Sequence, residues 1–203
     1  MYRKPLIIFE GIDGSGKTTQ INNVTNYLKK KNKKFIKLRE PGGSKNSEII
    51  RNLILNKRNK FDKFTDLLLY LAARNENINQ VIAKNFNKKI ILIDRYIYST
   101  IAYQCYGMGV NKNLVTTINN FIVKRFKPTH SFLLIVNKKN LKFRLKNRLN
   151  KNRYDNFKLK FYNKVQKGYL KLFNNKKNVT IIDSNKSIKE NKNDILDQVR
   201  RLI

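Results

Sequence analysis

Acidic residues are scarce in this chain for its size. Its 203 residues hold 13 Asp and Glu against 45 Lys and Arg, a formal net charge of +32. It has one cysteine, one histidine, no tryptophan, and only 8 glycines and 3 prolines. With Cys105 alone, no intramolecular disulfide can form, and a reducing, cytoplasmic setting is expected. Cys105 reads as a buried, inert thiol. His130 follows Pro128-Thr129 at a strand start, with no Ser or Cys nucleophile arranged around it, and reads as structural. No apolar stretch approaches the ~20 residues that span a bilayer, and no apolar leader precedes the first strand, so no membrane partner is expected.

The excess of positive charge points in principle to nucleic acid or an anionic surface. Here the lysines are scattered over nearly every polar segment and travel with many Asn, Ile and Tyr, while Ala, Gly and Pro are scarce. Lys, Asn, Ile and Tyr share AT-rich codons, so the charge reads first as compositional bias. A long-range field that attracts polyanions remains the alternative. Nucleic acid is not required by this reading.

Short apolar runs at 6–10, 35–39, 90–94, 131–136 and 179–183 read as strands. Helical patterns lie at 17–30, 47–55, 64–86, 115–126, 141–148, 158–173 and 188–202. Strands that are nearly continuously apolar and alternate with helices imply an α/β fold: a doubly wound five-stranded parallel sheet with helices on both faces. The chain reads as a single domain over 1–203, with no repeat or Gly/Ser linker. A polar, basic segment at about 147–156 is either an ordinary connection or a lid.

What the chain does have is a complete G-x-x-x-x-G-K-[ST] sequence: Gly11, Ile12, Asp13, Gly14, Ser15, Gly16, Lys17 and Thr18, followed by Thr19. It follows the apolar run Leu6-Ile7-Ile8-Phe9 and precedes Ile21, Val24, Tyr27 and Leu28 at helical spacing. This strand–loop–helix context is what a phosphate-binding loop needs. Its glycines let successive backbone N–H groups point at phosphate oxygens, and the helix N-terminus adds partial positive charge. Lys17 is expected on the β- and γ-phosphates, and the Thr18 hydroxyl on Mg²⁺. The run Ile90-Ile91-Leu92-Ile93-Asp94-Arg95 supplies the other half: a buried strand ending in a carboxylate for Mg²⁺, then a guanidinium beside the phosphates. A nucleoside triphosphate is implied.

Further blocks occur in order: Phe9-Glu10-Gly11 leading into the loop, Arg39-Glu40-Pro41-Gly42-Gly43, Tyr70-Leu71-Ala72-Ala73-Arg74, Asp94 to Gln104, Arg153-Tyr154-Asp155, and Gly168-Tyr169-Leu170. With these blocks the chain resembles the thymidylate kinases of bacterial type over essentially its whole length. The resemblance implies the P-loop nucleoside-monophosphate-kinase fold and direct in-line transfer of the γ-phosphoryl of ATP to dTMP, with Mg²⁺. It implies that Tyr70 stacks on the thymine, Arg74 reaches a base carbonyl, and Thr100 and Gln104 read the remaining edge. From the residues alone, core packing among Leu67, Leu68 and Leu71 is the competing reading of Tyr70. Tyr103 resembles the residue that crowds the sugar 2′ position, and Asp13 the one that meets the 3′-hydroxyl. Arg39, Arg51 and Arg95 resemble the clamp on the acceptor phosphate. In the lid, Arg148 and Arg153 match basic positions that close over the donor phosphates, with Arg153 as the catalytic arginine, and Arg144 is a candidate for flanking the adenine. The family is commonly homodimeric. The chain departs from it in two places: Asn156-Phe157-Lys158 stands where further acidic residues follow in relatives, and Tyr98 where an acid is frequent. A kinase for another nucleotide or a nucleoside, and a nucleic-acid-dependent NTPase, are the competing functions.

Overall fold

The computed structural model describes residues 4–147 and 153–203. Its strands are β1 (Leu6–Glu10), β2 (Phe35–Arg39), β3 (Ile90–Asp94), β4 (His130–Ile135) and β5 (Val179–Asp183). They form one parallel sheet in the order β2-β3-β1-β4-β5. The helices are α1 (Lys17–Lys30), α2 (Lys45–Leu55), α3 (Lys63–Asn77), α4 (Ala83–Asn85), α5 (Ile97–Thr100), α6 (Lys112–Val123), α7 (Lys138–Lys146), α8 (Leu159–Phe173) and α9 (Ile188–Leu202). A π segment, Ile78–Ile82, joins α3 to α4, and another, Ile101–Gly107, continues α5. No helix among the described residues is long and apolar enough to cross a membrane.

Strand alternation divides the core in two, because successive side chains point to opposite faces. Ile7 and Phe9 face α1 and α9, packing with Val24, Leu28, Ile195 and Val199. Leu6 and Ile8 face the other layer, with Ile82, Tyr96 and Val123. Both faces are therefore buried, which is why β1, β3 and β4 carry the apolar runs Leu6–Phe9, Ile90–Ile93 and Phe132–Ile135. β1 lies at the centre, so the loop that follows it opens at the middle of the carboxyl edge, beside the ends of β3 and β4.

The expected strands agree with the observed ones to within a residue at each end. Four helices, α2, α3, α6 and α7, begin one to three residues earlier than their apolar periodicity suggests, because side-chain caps set their starts. Ser44 caps α2 by accepting the Ser47 N–H, and Asn111 caps α6 by accepting the Leu114 N–H. The helix over 97–107 is absent from the sequence reading. Its π portion, i→i+5 bonded, does not repeat every 3.6 residues, and its β-branched and aromatic residues are modest helix formers.

Candidate active site

The loop after β1 is shaped by its glycines. Gly11 has φ +140°, and a Cβ there would lie 2.4 Å from the Leu134 carbonyl oxygen, so β4 passes too close for any side chain. Gly16, in the left-handed region at φ 88°, opens α1 with no side-chain cap. No acidic residue occupies the first turn. The first N–H groups of α1 are thus left for an anion. Lys17 folds back over the loop, its Nζ donating to the carbonyls of Gly11 at 3.0 Å and Ile12 at 2.9 Å. Burial, with repulsion from Arg95 adding to it, pushes the Lys17 ammonium down to about 8.

β3 ends beside this loop. The Thr18 hydroxyl donates to Asp94 Oδ2 at 3.2 Å, while Asp94 Oδ1 is buried with no hydrogen-bond partner among the described residues. An unpartnered buried carboxylate oxygen next to a hydroxyl suits a hard cation. Two protein oxygens, leaving room for water and phosphate, fit Mg²⁺ better than a closed cage.

Arg95 holds the centre of the site. It sits at positive φ (67°) directly after the strand. Nη1 donates to the Gly11 carbonyl at 2.8 Å, and Nη2 to Asp13 Oδ1 at 3.0 Å and the Tyr103 hydroxyl at 3.1 Å. The Tyr103 hydroxyl in turn donates to Asp13 Oδ2 at 2.9 Å. Beneath them, fully buried Glu10 accepts the N–H groups of Tyr96 and Ser99 and the hydroxyls of Ser99 and Tyr169, which touch Arg95 from behind. Burial raises the Glu10 carboxyl above its ordinary range. Neither Glu10 nor Tyr169 stood out as a site residue in the sequence. Only their places in the matched blocks mark them.

Two cavities meet here. The larger, about 750 Å³, is lined by the loop, Thr18, Thr19, Arg39, Asp94 and Arg144, among others. The smaller, about 100 Å³, is lined by Tyr70, Arg74, Thr100, Tyr103, Gln104 and Tyr154, among others. Asp13, Glu40, Arg51 and Arg95 line both. Tyr70 is half-buried and opens onto the smaller cavity, so the core-packing reading of it does not hold. Thr100 Oγ1 and Gln104 Nε2 are buried there with no hydrogen-bond partner among the described residues, as the edge of a polar ligand requires. Arg74 is almost wholly occupied by protein: Nε pairs with Glu40 at 2.7 Å, Nη2 donates to the Tyr96 carbonyl at 3.0 Å, and Nη1 donates to Asn119. Arg51 donates to the Pro41 carbonyl at 2.6 Å, and Arg39 pairs with Glu48 at 3.0 Å. A third space, about 190 Å³, lies between the loop, Arg144, Ser184, Ile188 and Asn191. There Arg144 donates to the carbonyls of Gly14 at 3.1 Å and Ser184 at 2.7 Å.

Arg153 sits away from its expected place. Expected over the donor phosphates, it instead pairs with Asp66 of α3 and the Tyr154 hydroxyl, on the side of the smaller cavity. The acceptor it finds there is the buried carboxylate of Asp66. Arg148 lies outside the described residues, as does half of the expected lid. Tyr154, which the sequence offered only as a flanking residue, is a wall of the smaller cavity. His130 is buried on β4, its Nε2 2.9 Å from the Thr180 hydroxyl, in keeping with a structural role. Cys105 is half-buried, and burial raises its thiol to about 11, which keeps it protonated.

A parallel sheet with a phosphate loop after its central strand, and an aspartate closing the adjacent strand, defines a P-loop NTPase. A second cavity opens beside the loop. Comparison with known proteins narrows the class. The family model for thymidylate kinase matches residues 9–195. A thymidylate kinase of Mycoplasma capricolum is 38% identical over 187 residues, spanning 90% of this chain and 88% of that protein. One from a Sulfurihydrogenibium species is 37% identical over 198 residues, covering 96% of each. The crystal structure of thymidylate kinase from Ehrlichia chaffeensis superposes with a TM-score of 0.78 at 29% identity, covering 97% of this chain and 98% of that one. The chain belongs to the thymidylate kinase family, the enzymes that phosphorylate dTMP.

Proposed function

We propose that this chain transfers the γ-phosphoryl group of ATP to dTMP with Mg²⁺. The observation that carries the reading is the meeting of the two cavities at Asp13, Arg51 and Arg95. A phosphate chain over the loop and a monophosphate entering from the smaller cavity converge on one guanidinium. On the donor side, the loop N–H groups and Lys17 hold the phosphates. Thr18 and Asp94 would hold Mg²⁺, which when bound neutralises phosphate charge. The adenine takes the space beside Arg144. On the acceptor side, Tyr70 stacks on the base, Thr100, Gln104 and Arg74 meet its edge, and Tyr103 crowds the 2′ position. Asp13 accepts the 3′-hydroxyl, and Arg39, Arg51 and Arg95 hold the phosphate.

An acceptor phosphate oxygen then bonds to the γ-phosphorus in line, and the bond to the β–γ bridging oxygen breaks to release ADP. The attacking group is already an anion, so no general base is needed. The protein contributes positioning and fixed positive charge, from Lys17 and Arg95 above all.

A homodimer is the second part of the reading. α3 packs against both α2 and α6, and these three helices expose Ile49, Leu53, Phe64, Leu68, Leu114 and Phe121, the last 73% exposed. Large apolar side chains on adjoining helices suit an interface between copies.

An ADP-release assay with dTMP, dUMP, UMP, dCMP and thymidine tests the acceptor. The reading expects dTMP to give the highest kcat/KM and ATP turnover to be slow without it. A preference for thymidine, or ATP hydrolysis that needs nucleic acid, would overturn it.

A further inference from the structure

We propose that Asp66 is a positioning residue for the acceptor; the inference rests on the smaller cavity being the acceptor's. Asp66 lies on α3 one turn before Tyr70, with its side chain 5% exposed, and it lines neither main cavity. Both its oxygens are committed: Oδ1 pairs with Arg153 Nη2, and Oδ2 accepts the Tyr154 hydroxyl at 2.6 Å. Arg153 also donates to the Tyr154 hydroxyl at 3.1 Å, and its guanidinium lies 5.5 Å from the Phe61 ring. One buried carboxylate thus fastens two consecutive residues, far off in sequence, to the helix that carries Tyr70.

The fastening sets the shape of the cavity. Tyr154 stands edge-on to Tyr70, ring centroids 6.2 Å apart, and tilts onto Phe157 at 5.7 Å. Phe157 stacks on Phe161 at 4.0 Å, and Phe161 meets Tyr103 edge-on at 6.0 Å. The Tyr154 carbonyl is held by the Tyr162 hydroxyl at 2.9 Å. A chain of aromatic contacts therefore runs from Tyr70 round to Tyr103, and Asp66 pins the link between α3 and the rest. Without its charge, Arg153 loses its ion pair while partly buried, and Tyr154 loses its charged acceptor, so the wall loosens. Asp66 acts through Tyr154 and has no place among the donor phosphates.

The test uses the purified full chain, with dTMP and ATP varied in turn and dTMP binding measured by calorimetry. Asp66→Asn is expected to raise the dTMP KM and Kd about tenfold, with the ATP KM moved by less than about twofold and kcat the less affected parameter. Tyr154→Phe is expected to reproduce part of this, and Asp66→Asn in that background to add much less than it does alone. A merely stabilising ion pair would lower the melting temperature without this split or this non-additivity. A folded Asp66→Asn with unchanged dTMP KM, additive effects, or an ATP KM rising as much as the dTMP KM would each overturn the proposal. If Asp66→Asn does not fold, Arg153→Met removes the pair from the other side, and an unchanged dTMP KM there overturns it equally. A wild-type protein that fails to phosphorylate dTMP would strike the acceptor assignment and this inference together. Normal wild-type turnover with unmoved variants strikes the inference alone.

Discussion

Lys17 keeps its charge in a place water barely reaches, 6% exposed, and burial holds its pKa at about 8 against an ordinary 10.5. As pH rises, the folded chain releases this proton before the unfolded chain does. Between about 8 and 10.5 the unfolded state binds more protons, so stability rises with pH in that window. The penalty, of order 3 kcal/mol, is complete below it. Phosphate oxygens replacing the loop carbonyls favour the ammonium and raise its pKa again. ATP binding at pH 8 is therefore expected to take up about half a proton. Calorimetry in two buffers of different ionisation enthalpy measures this directly, and proton release would contradict the contact. Lys17, Thr18 and Asp13 were legible in the sequence because their neighbours fix the backbone locally. The true partner of Arg153 was not, since Asp66 lies 87 residues away and nothing in its own surroundings marks it.

The inner strands β1, β3 and β4 were readable because burial on both faces leaves an apolar run, and the half-exposed edge strands β2 and β5 by their short β-branched and apolar stretches. The segment over 97–107, which carries Thr100, Tyr103 and Gln104, was not, because π geometry has no 3.6-residue signature. What holds that segment in place is α8, which crosses it at two glycines. A Cβ on Gly168 would lie 2.6 Å from the Tyr106 ring, and one on Gly107 would lie 2.7 Å from Phe161. Gly168 belongs to one of the recognised sequence blocks, and close helix approach is its physical reason. Gly168→Ala is expected to push α8 off the π segment, costing about 1–3 kcal/mol. It should also raise the dTMP KM, because Tyr103 shifts with its backbone. Thermal melts and steady-state kinetics check both, and an unchanged melting temperature would show that the contact yields freely.

For the molecule as a whole, the charge of +32 acts on association more than on fold. The larger cavity gathers Lys17, Lys37, Arg39, Arg51, Arg95 and Arg144 at its walls, so anionic nucleotides are drawn in, and more weakly as salt rises. Two like-charged copies meeting through α2, α3 and α6 repel each other, and salt screens that repulsion. Sedimentation is therefore expected to show a dimer that tightens with added salt, and Leu68→Glu is expected to leave a monomer. A monomer at all salt concentrations would refute the interface. The central claim is that donor and acceptor share one site across Asp13 and Arg95. It is tested most directly by calorimetry with adenosine and thymidine joined through five phosphates. One molecule is expected to bind per chain, much tighter than ATP or dTMP alone, with both displaced. Binding no tighter than ATP, with dTMP still able to bind beside it, would mean that the two nucleotides do not share one site.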